Sequence, residues 1–460
     1  MSRFFAKRHG ESMEISLSHE QSLAMEKMIR FATLSRDRVF TLSGFAGVGK
    51  TTVMVQFARE ISKSLPVALT APTNKAVKVL DDMRQREALD RVDCRTIYSL
   101  LGLKLDKTGE IKAVNFDRAA PREPFTRGII VVDEASMVGK DLYAYLQKVL
   151  ASYPRVKIVF VGDPLQLPPV KEQAAMPFSV FDDGYTLTQI IRQAEDNPII
   201  RLTVGIRACI QSGGSPRLAD DIASNGIGVF TCSHSDFAAW MHESFGSPEY
   251  KTNPMAYRGI AWRNKAVDGY NLMARRAVFG DAMAGQQYIV GERVTAVSPI
   301  MDPYCLDIIA MHTDDEATIS SCEASAHPLY PWAMCHKITI TDDFGRDMTA
   351  FASRAGQTRH EVENARKSLF DSAKSNRREW PAYYRFCESF ADIRISGASV
   401  DHSNIRPAHV LTSHKSQGST FDRVFVDAVD ILSNTNRTEA LKCLYVAVSR
   451  ARFGVAMRVA

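Results

Sequence analysis

Residues 38–52 read RVFTLSGFAGVGKTT. Val39, Phe40, Thr41 and Leu42 form a short apolar, partly β-branched run that predicts a buried strand. The pattern breaks at Gly44 and resumes after Thr51 with helical spacing at Val53, Phe57, Ala58 and Ile61. Between strand and helix, Gly44 to Thr51 fits G-x-x-x-x-G-K-[ST] at every fixed position. Glycines let backbone N–H groups curl around phosphate oxygens, and the start of the helix adds partial positive charge. The expected nucleotide contacts are Gly44, Ala46, Gly47, Val48, Gly49, Lys50, Thr51 and Thr52. In this pattern the lysine, Lys50, reaches the β/γ-phosphates and the hydroxyl of Thr51 ligates Mg²⁺.

The rest of the composition sets bounds. A chain of 460 residues has room for about two to four domains. Its 45% hydrophobic and 24% charged content is ordinary for a soluble protein. A net charge of +5 is too small to identify a polyanionic partner without help. The eight cysteines contain no C-x-x-C pair, which argues for buried thiols in a reducing compartment and against zinc or a disulfide framework. The first residues, MSRFFAKRHGES, have no apolar core of a signal peptide, and no run reaches membrane-spanning length. The expectation is a cytoplasmic protein with no membrane partner.

Three more apolar runs end in polar clusters. PVALTAPTNKA (66–76) ends at Thr70–Asn74, GIIVVDEASM (128–137) at Asp133-Glu134, and VKIVFVGDPLQLPPV (156–170) at Gly162-Asp163 and Gln166. Such runs between helical stretches predict an α/β fold with a parallel sheet buried on both faces. Ligands then gather at the carboxyl edge of the sheet. Asp133 is placed to hold Mg²⁺ opposite Thr51, and Glu134 to accept a proton from an attacking water. The plainer alternative for that pair is an acidic first helical turn. Gln166 reads either as a γ-phosphate sensor or as a surface loop residue.

These pieces resemble the motif series of superfamily 1 helicases, most closely the Dda/RecD-like B subgroup. LSHEQSLAM (17–25) is similar to the adenine-reading Q motif, with Gln21 as reader. APTNKAVKVL is similar to motif Ia, RTIYSLLG (95–102) to Ib, VVDEASM to II and FVGDPLQLPPV to III. LTQIIRQ (187–193) matches the segment whose arginine, here Arg192, touches the γ-phosphate. LTSHKSQGSTFDRVFVD (411–427) resembles motif V, and LYVAVSRAR (444–452) resembles motif VI with Arg450. The matches run in the family's order from residue 17 to 452.

The resemblance implies two RecA-like P-loop lobes, with ATP and Mg²⁺ between them and single-stranded DNA across their tops. By motif, residues 1–190 make the first lobe with a β-hairpin insertion at about 101–125, and 191–271 with 402–460 make the second. Residues 272–401 then form an inserted SH3-like accessory domain with a helical arm. The implied catalytic set is Lys50, Glu134, Gln166, Arg192 and Arg450. An arginine delivered across a cleft couples hydrolysis to closure. Implied DNA contacts are Pro72, Thr73, Asn74, Thr96, Tyr98, Thr412, His414, Lys415 and Ser416.

LGLKLDKTGEIKAVNFDR (101–118) alternates around Asp106-Lys107-Thr108-Gly109, a hairpin signal. Relatives use a hairpin here as a pin that splits the duplex. Phe116 stands where the pin's aromatic should be, or else anchors the hairpin by packing. RGIAWRNKAVDGYN (258–271) resembles motif IV, with Trp262 or Asn264 toward the nucleotide or lobe interface. VGERVTAV (290–297) and MCHKITITDDFG (334–345) read as strands of the insert, 353–380 as a charged helix, and 301–330 as a variable loop. Trp380, Tyr383 and Tyr384 read as packing residues.

Together these features imply an ATP-driven 5′-to-3′ DNA helicase, acting as a monomer on single strands and single-strand/duplex junctions in a bacterial or phage-infected cell. Replication or recombination proteins are its expected associates. The alternative is a DNA-stimulated ATPase that strips proteins from DNA, or a RecD-like subunit of a larger complex.

Overall fold

The computed structural model describes residues 17–105, 111–113, 126–169, 172, 174–181, 184–189, 196–283, 286–305, 308–343, 345–393 and 404–460. The chain divides into two compact units, Met1–Ser233 with Ser416–Ala460, and His234–Lys415.

The first unit is built on strands β1 (Val39–Gly44), β2 (Val67–Ala71), β3 (Val92–Thr96), β4 (Leu103–Leu105), β5 (Ile111–Ala113), β6 (Gly128–Val132), β7 (Val156–Gly162) and β8 (Gly184–Leu187). Six of them form one sheet in the order β3-β2-β6-β7-β1-β8, and every neighbouring pair is parallel. Successive side chains alternate between two covered faces. Leu69, Val131, Val159 and Val161 join Met28 and Phe57 in one core. Ala68, Ile130, Val132, Ile158 and Phe160 join Leu142 and Leu146 in the other. Burial on both sides is why these strands are apolar at consecutive positions and do not alternate with polar ones. The expected α/β architecture with a doubly covered parallel sheet is therefore found.

β4 and β5 pair antiparallel, Leu103 opposite Ala113 and Leu105 opposite Ile111. Both arms of the expected hairpin are present; its turn and Phe116 lie outside the described residues. The same unit carries a second parallel group, in which Ala451–Arg458 lies between Phe421–Asp427 and Gly228–Cys232. The short strand Asp221–Ile222 closes it antiparallel.

In the second unit Tyr257–Ala261 pairs parallel with Val410–Thr412. Five further strands form an antiparallel sheet in the order Asp347–Ser353, Met334–Asp342, Glu316–Ala326, Arg293–Ala296 and Ile405–Pro407. Two of these fall inside the stretches expected to be strands. Glu316–Ala326 overturns the expectation of a loop over 301–330: it is an eleven-residue strand in the middle of the sheet. Only Ala317 and Ile319 supply buried apolar side chains along it, and the rest is threonine, serine, glutamate, cysteine and alanine. Cross-strand pairing, which leaves no apolar pattern, holds it in place.

Buried charge is prominent in this unit. Arg275 and Glu292 pair with both side chains almost wholly enclosed, at 2.5 Å. Glu316 accepts from both Arg258 and Arg293, and Arg293 also reaches Asp343. The helices Gln357–Ser375 and Trp380–Ser389 follow, joined by an aromatic cluster of Phe370, Trp380, Tyr383 and Tyr384. Those aromatics pack, as expected. Among the described residues no helix is long and apolar enough to cross a membrane.

Candidate active site

The phosphate-binding loop runs from the end of β1 into the helix Lys50–Ile61. Gly47 and Gly49 adopt φ of 91° and 81°, a left-handed geometry that a side chain would strain, so the two glycines shape the loop. Lys50 closes back over it, its Nζ donating to the carbonyls of Gly44 (2.8 Å) and Phe45 (2.9 Å). Burial lowers the Lys50 ammonium below the usual lysine range, opposed by the nearby carboxylates of Asp163, Glu134 and Asp133. Thr51 and Thr52 open the helix, both half-buried.

The helix His19–Thr33 is fastened to this loop from outside. Ser18 and Gln21 form a reciprocal capping box, in which Ser18 N donates to Gln21 Oε1 and Gln21 N donates to Ser18 Oγ. Gln21 Nε2 then donates to the Val48 carbonyl at 2.9 Å. The residue expected to read adenine is thus also a brace under the phosphate loop. Its neighbour Glu20 holds the end of β8: its carboxylate accepts from Thr188 N, Thr188 Oγ1 and Gln189 N. Burial pushes the Glu20 carboxyl up, and those hydrogen bonds outweigh it, leaving the group below the ordinary glutamate value.

Asp133 and Glu134 follow β6. Glu134 sits at φ 49°, unusual for a non-glycine residue and a strain that marks functional turns. The Asp133 carboxyl is pushed up to about 7, first by burial and then by the charge of Glu134. A buried carboxylate beside a second one suits a hard divalent cation, and Thr51 adds a hydroxyl oxygen; the donor set fits Mg²⁺. On β7's far end, Gln166 is buried and its Oε1 has no hydrogen-bond partner among the described residues. An orphaned carbonyl oxygen at a strand end is unusual enough to need a ligand or a water to explain it.

The residue that organises this edge is Asp163, which sequence reading placed only within a polar cluster. It is fully buried. Arg207 Nη1 lies 2.6 Å from both of its oxygens, Leu165 N donates to Oδ1, and the Tyr445 hydroxyl donates to Oδ2 at 2.5 Å. The Arg207 guanidinium sits 5.4 Å from the ring centres of both Phe45 and Tyr445. Asp163 had a signal, its place at a strand end. Arg207 had none, and Tyr445 had only its place in the motif VI stretch, because the polar ends of their side chains meet Asp163 only in three dimensions.

The remaining expected residues lie as follows. Arg450 is buried, and its guanidinium donates to the Val446 and Ser419 carbonyls and to Ser449 Oγ. Arg192 and Phe116 lie outside the described residues. Pro72 is buried, Thr73 caps the helix Asn74–Arg86 through Ala76 N, and Thr96 caps Ile97–Leu100 through Ser99 N. Tyr98 packs half-buried against the core beneath it, and burial lifts its phenol to about 12. Thr412 Oγ1 accepts from Lys415 N, Lys415 pairs with Asp314 at 2.6 Å, and Ser416 is fully buried. His414 is half-buried in the turn between them. Gln417 Nε2 donates to the Leu167 carbonyl, and Gly418 abuts Thr73 and Ala76, so these two residues of motif V pack on motifs Ia and III within the first unit.

Comparison with known proteins adds independent findings. Residues 16–212 match the family described as an AAA domain, and residues 407–457 match the UvrD-like helicase C-terminal domain. The chain is 24% identical over 447 residues to the ATP-dependent DNA helicase dda of Enterobacteria phage T4, covering 90% of this chain and 93% of that protein. It is 23% identical over 492 residues to protein R530 of Acanthamoeba polyphaga mimivirus, covering 94% and 97%. Among solved structures, the Pif1 helicase of Candida albicans aligns over 97% of this chain and 94% of its own at 16% identity, with a TM-score of 0.48.

Proposed function

The chain belongs to the superfamily 1B helicases and is an ATP-dependent DNA helicase, and we propose that it moves 5′ to 3′ along a single strand and opens the duplex ahead of it. The observation that carries the reading is the convergence of Lys50, Asp133, Glu134 and Asp163 on one sheet edge, with the orphaned Gln166 at the end of a neighbouring strand.

Each group has a task there. Lys50 and the loop amides bind the β- and γ-phosphates. Asp133 and Thr51 would hold Mg²⁺, which when bound supplies positive charge against the phosphate oxygens. Glu134 accepts the proton of the attacking water, and Gln166 Oε1 orients that water. Arg192 and Arg450 stabilise charge on the transferring phosphoryl group, Arg450 after leaving its present carbonyl partners. By motif, 1–190 serves as the first lobe, 191–271 with 402–460 as the second, and 272–401 as the insert. Pro72, Thr73, Asn74, Thr96, Tyr98, Thr412, His414, Lys415 and Ser416 line the strand's path. Stacking and backbone contacts tolerate any sequence. The hairpin carrying β4 and β5 is the pin, with Phe116 against the last base pair. The enzyme works as a cytoplasmic monomer, alongside replication or recombination proteins.

Steady-state ATP hydrolysis tests this, measured alone, with poly-dT, with blunt duplex and with RNA, using Lys50→Ala as control. Strong stimulation by poly-dT and little by blunt duplex is expected, followed by unwinding of 5′-tailed but not 3′-tailed duplexes. Preference for 3′ tails overturns the polarity. Stimulation without unwinding of either tail favours a protein-stripping translocase or a subunit that needs a partner.

A further inference from the structure

One amide of the phosphate-binding loop already has a partner. Ala46 N donates to the hydroxyl of Tyr445 at 3.1 Å, although the two residues stand 399 positions apart. Tyr445 is fully buried in the helix Arg437–Ser449, and that helix ends at Arg450. The same hydroxyl donates to Asp163 and lies 3.2 Å from Arg207 Nη1. It is therefore fully engaged, with one proton given and two donors received. Burial and the Asp163 carboxylate push its phenol far above the ordinary tyrosine range, so it stays protonated and can keep donating to Asp163.

An N–H makes one strong hydrogen bond. A phosphate oxygen arriving at the Ala46 amide competes with the Tyr445 hydroxyl for the same proton. We infer that Tyr445 is a positioning residue that holds the phosphate loop through Ala46 until nucleotide displaces it, so that phosphate binding releases the helix that carries Arg450. Asp163 makes the exchange tolerable: bonded to Arg207 and Leu165 N, it retains two charge-assisted or backbone partners when the tyrosine leaves. Arg207, between the rings of Phe45 and Tyr445, keeps the loop and the helix in register during that step. The inference rests on the assignment of this loop as the ATP site.

The experiment is equilibrium binding of a fluorescent ADP to wild type, Tyr445→Phe and Lys50→Ala, with hydrogen–deuterium exchange across residues 44–49. The loss of one competing hydrogen bond should tighten ADP binding to Tyr445→Phe by roughly five- to ten-fold. The KM for ATP should fall with it, and kcat with poly-dT should fall because Arg450 is no longer tied to phosphate arrival. Amide exchange in the loop should be faster in Tyr445→Phe than in wild type without nucleotide, and equal in the two with saturating ADP. A strut with no such competition would leave ADP affinity the same or weaker even where loop exchange quickens, and that result overturns the inference. Failure of the ATP-site assignment looks different: Lys50→Ala would bind ADP as well as wild type. Thermal unfolding of Tyr445→Phe checks that the comparison is made on folded protein.

Discussion

At the carboxyl edge of the first sheet, Lys50, Asp133 and Glu134 crowd together while Gln166 Oε1 has no partner among the described residues. In the second unit, Arg275 and Glu292 face each other across 2.5 Å, and Glu316 is shared between Arg258 and Arg293. Both regions take charge out of water. The first does so with two carboxyls side by side and one lysine, an excess of negative charge that a divalent cation would answer. The second answers each charge with its opposite from the chain itself. Buried charge that is internally paired is a structural device, and buried charge that is not is a site.

The largest effect that separates them is Lys50→Ala. Removing the ammonium takes away a charge aimed at the transferring phosphoryl group, and hydrolysis should fall by at least about a hundred-fold. The unfolding midpoint should barely move, because among the described residues Lys50 donates to two carbonyls of its own loop. A large loss of stability with residual hydrolysis near wild type would mean the lysine is structural, and the contrast would collapse.

Arg275→Leu is the converse. It leaves Glu292 enclosed without its cation, at a cost of about 3–5 kcal/mol. Urea unfolding should register that cost while the KM for ATP of the folded protein stays put. Arg275→Met combined with Glu292→Met should recover most of it, since a buried pair replaced by apolar groups of similar volume is close to neutral. If the single change is tolerated as well as the double, the pair contributes nothing to holding this unit together.

How much of this was legible follows from the length scale of each interaction. The phosphate loop, β1, β2, β6 and β7 could be read because strand, turn and helix are specified by neighbours in sequence. The same holds for Asp133, Glu134 and Gln166, which sit at the ends of those runs. Glu316–Ala326 could not be read, because its serines and glutamate are held by the strands on either side and by no pattern of their own. The Asp163–Arg207–Tyr445 cluster was hidden for a related reason. Its members belong to a strand end, to the helix Pro198–Ser212 and to the helix Arg437–Ser449, and their only common feature is where the fold brings them. The motif that contains Tyr445 singles out Arg450, the residue that caps its helix. In the structure Arg450 is occupied with nearby carbonyls, and the side chain touching the phosphate loop is the tyrosine five positions earlier.

The smallest effect concerns pH. His409 is buried in the second unit with Tyr250 Oη 2.7 Å from its Nδ1. Burial pushes its imidazole down to about 3, aided by the positive charges of Arg258 and Arg275 and opposed by Glu316. In the unfolded chain the group titrates near the ordinary histidine value, about 6.5. Above that value neither state binds the proton, and the neutral ring costs nothing. Below it the unfolded chain takes up a proton that the folded chain refuses, so stability is lost as pH falls from about 6.5 toward about 3, at about 1.4 kcal/mol per pH unit. His409→Gln removes that titration and should flatten the slope of unfolding free energy against pH by about one proton between about pH 6 and pH 4.5. The quantity to compare is the slope, since loss of the ring's packing lowers the level at every pH alike. An unchanged slope would place the acid sensitivity of this unit in its other titrating groups, among them His327 and His336, whose imidazoles burial also lowers.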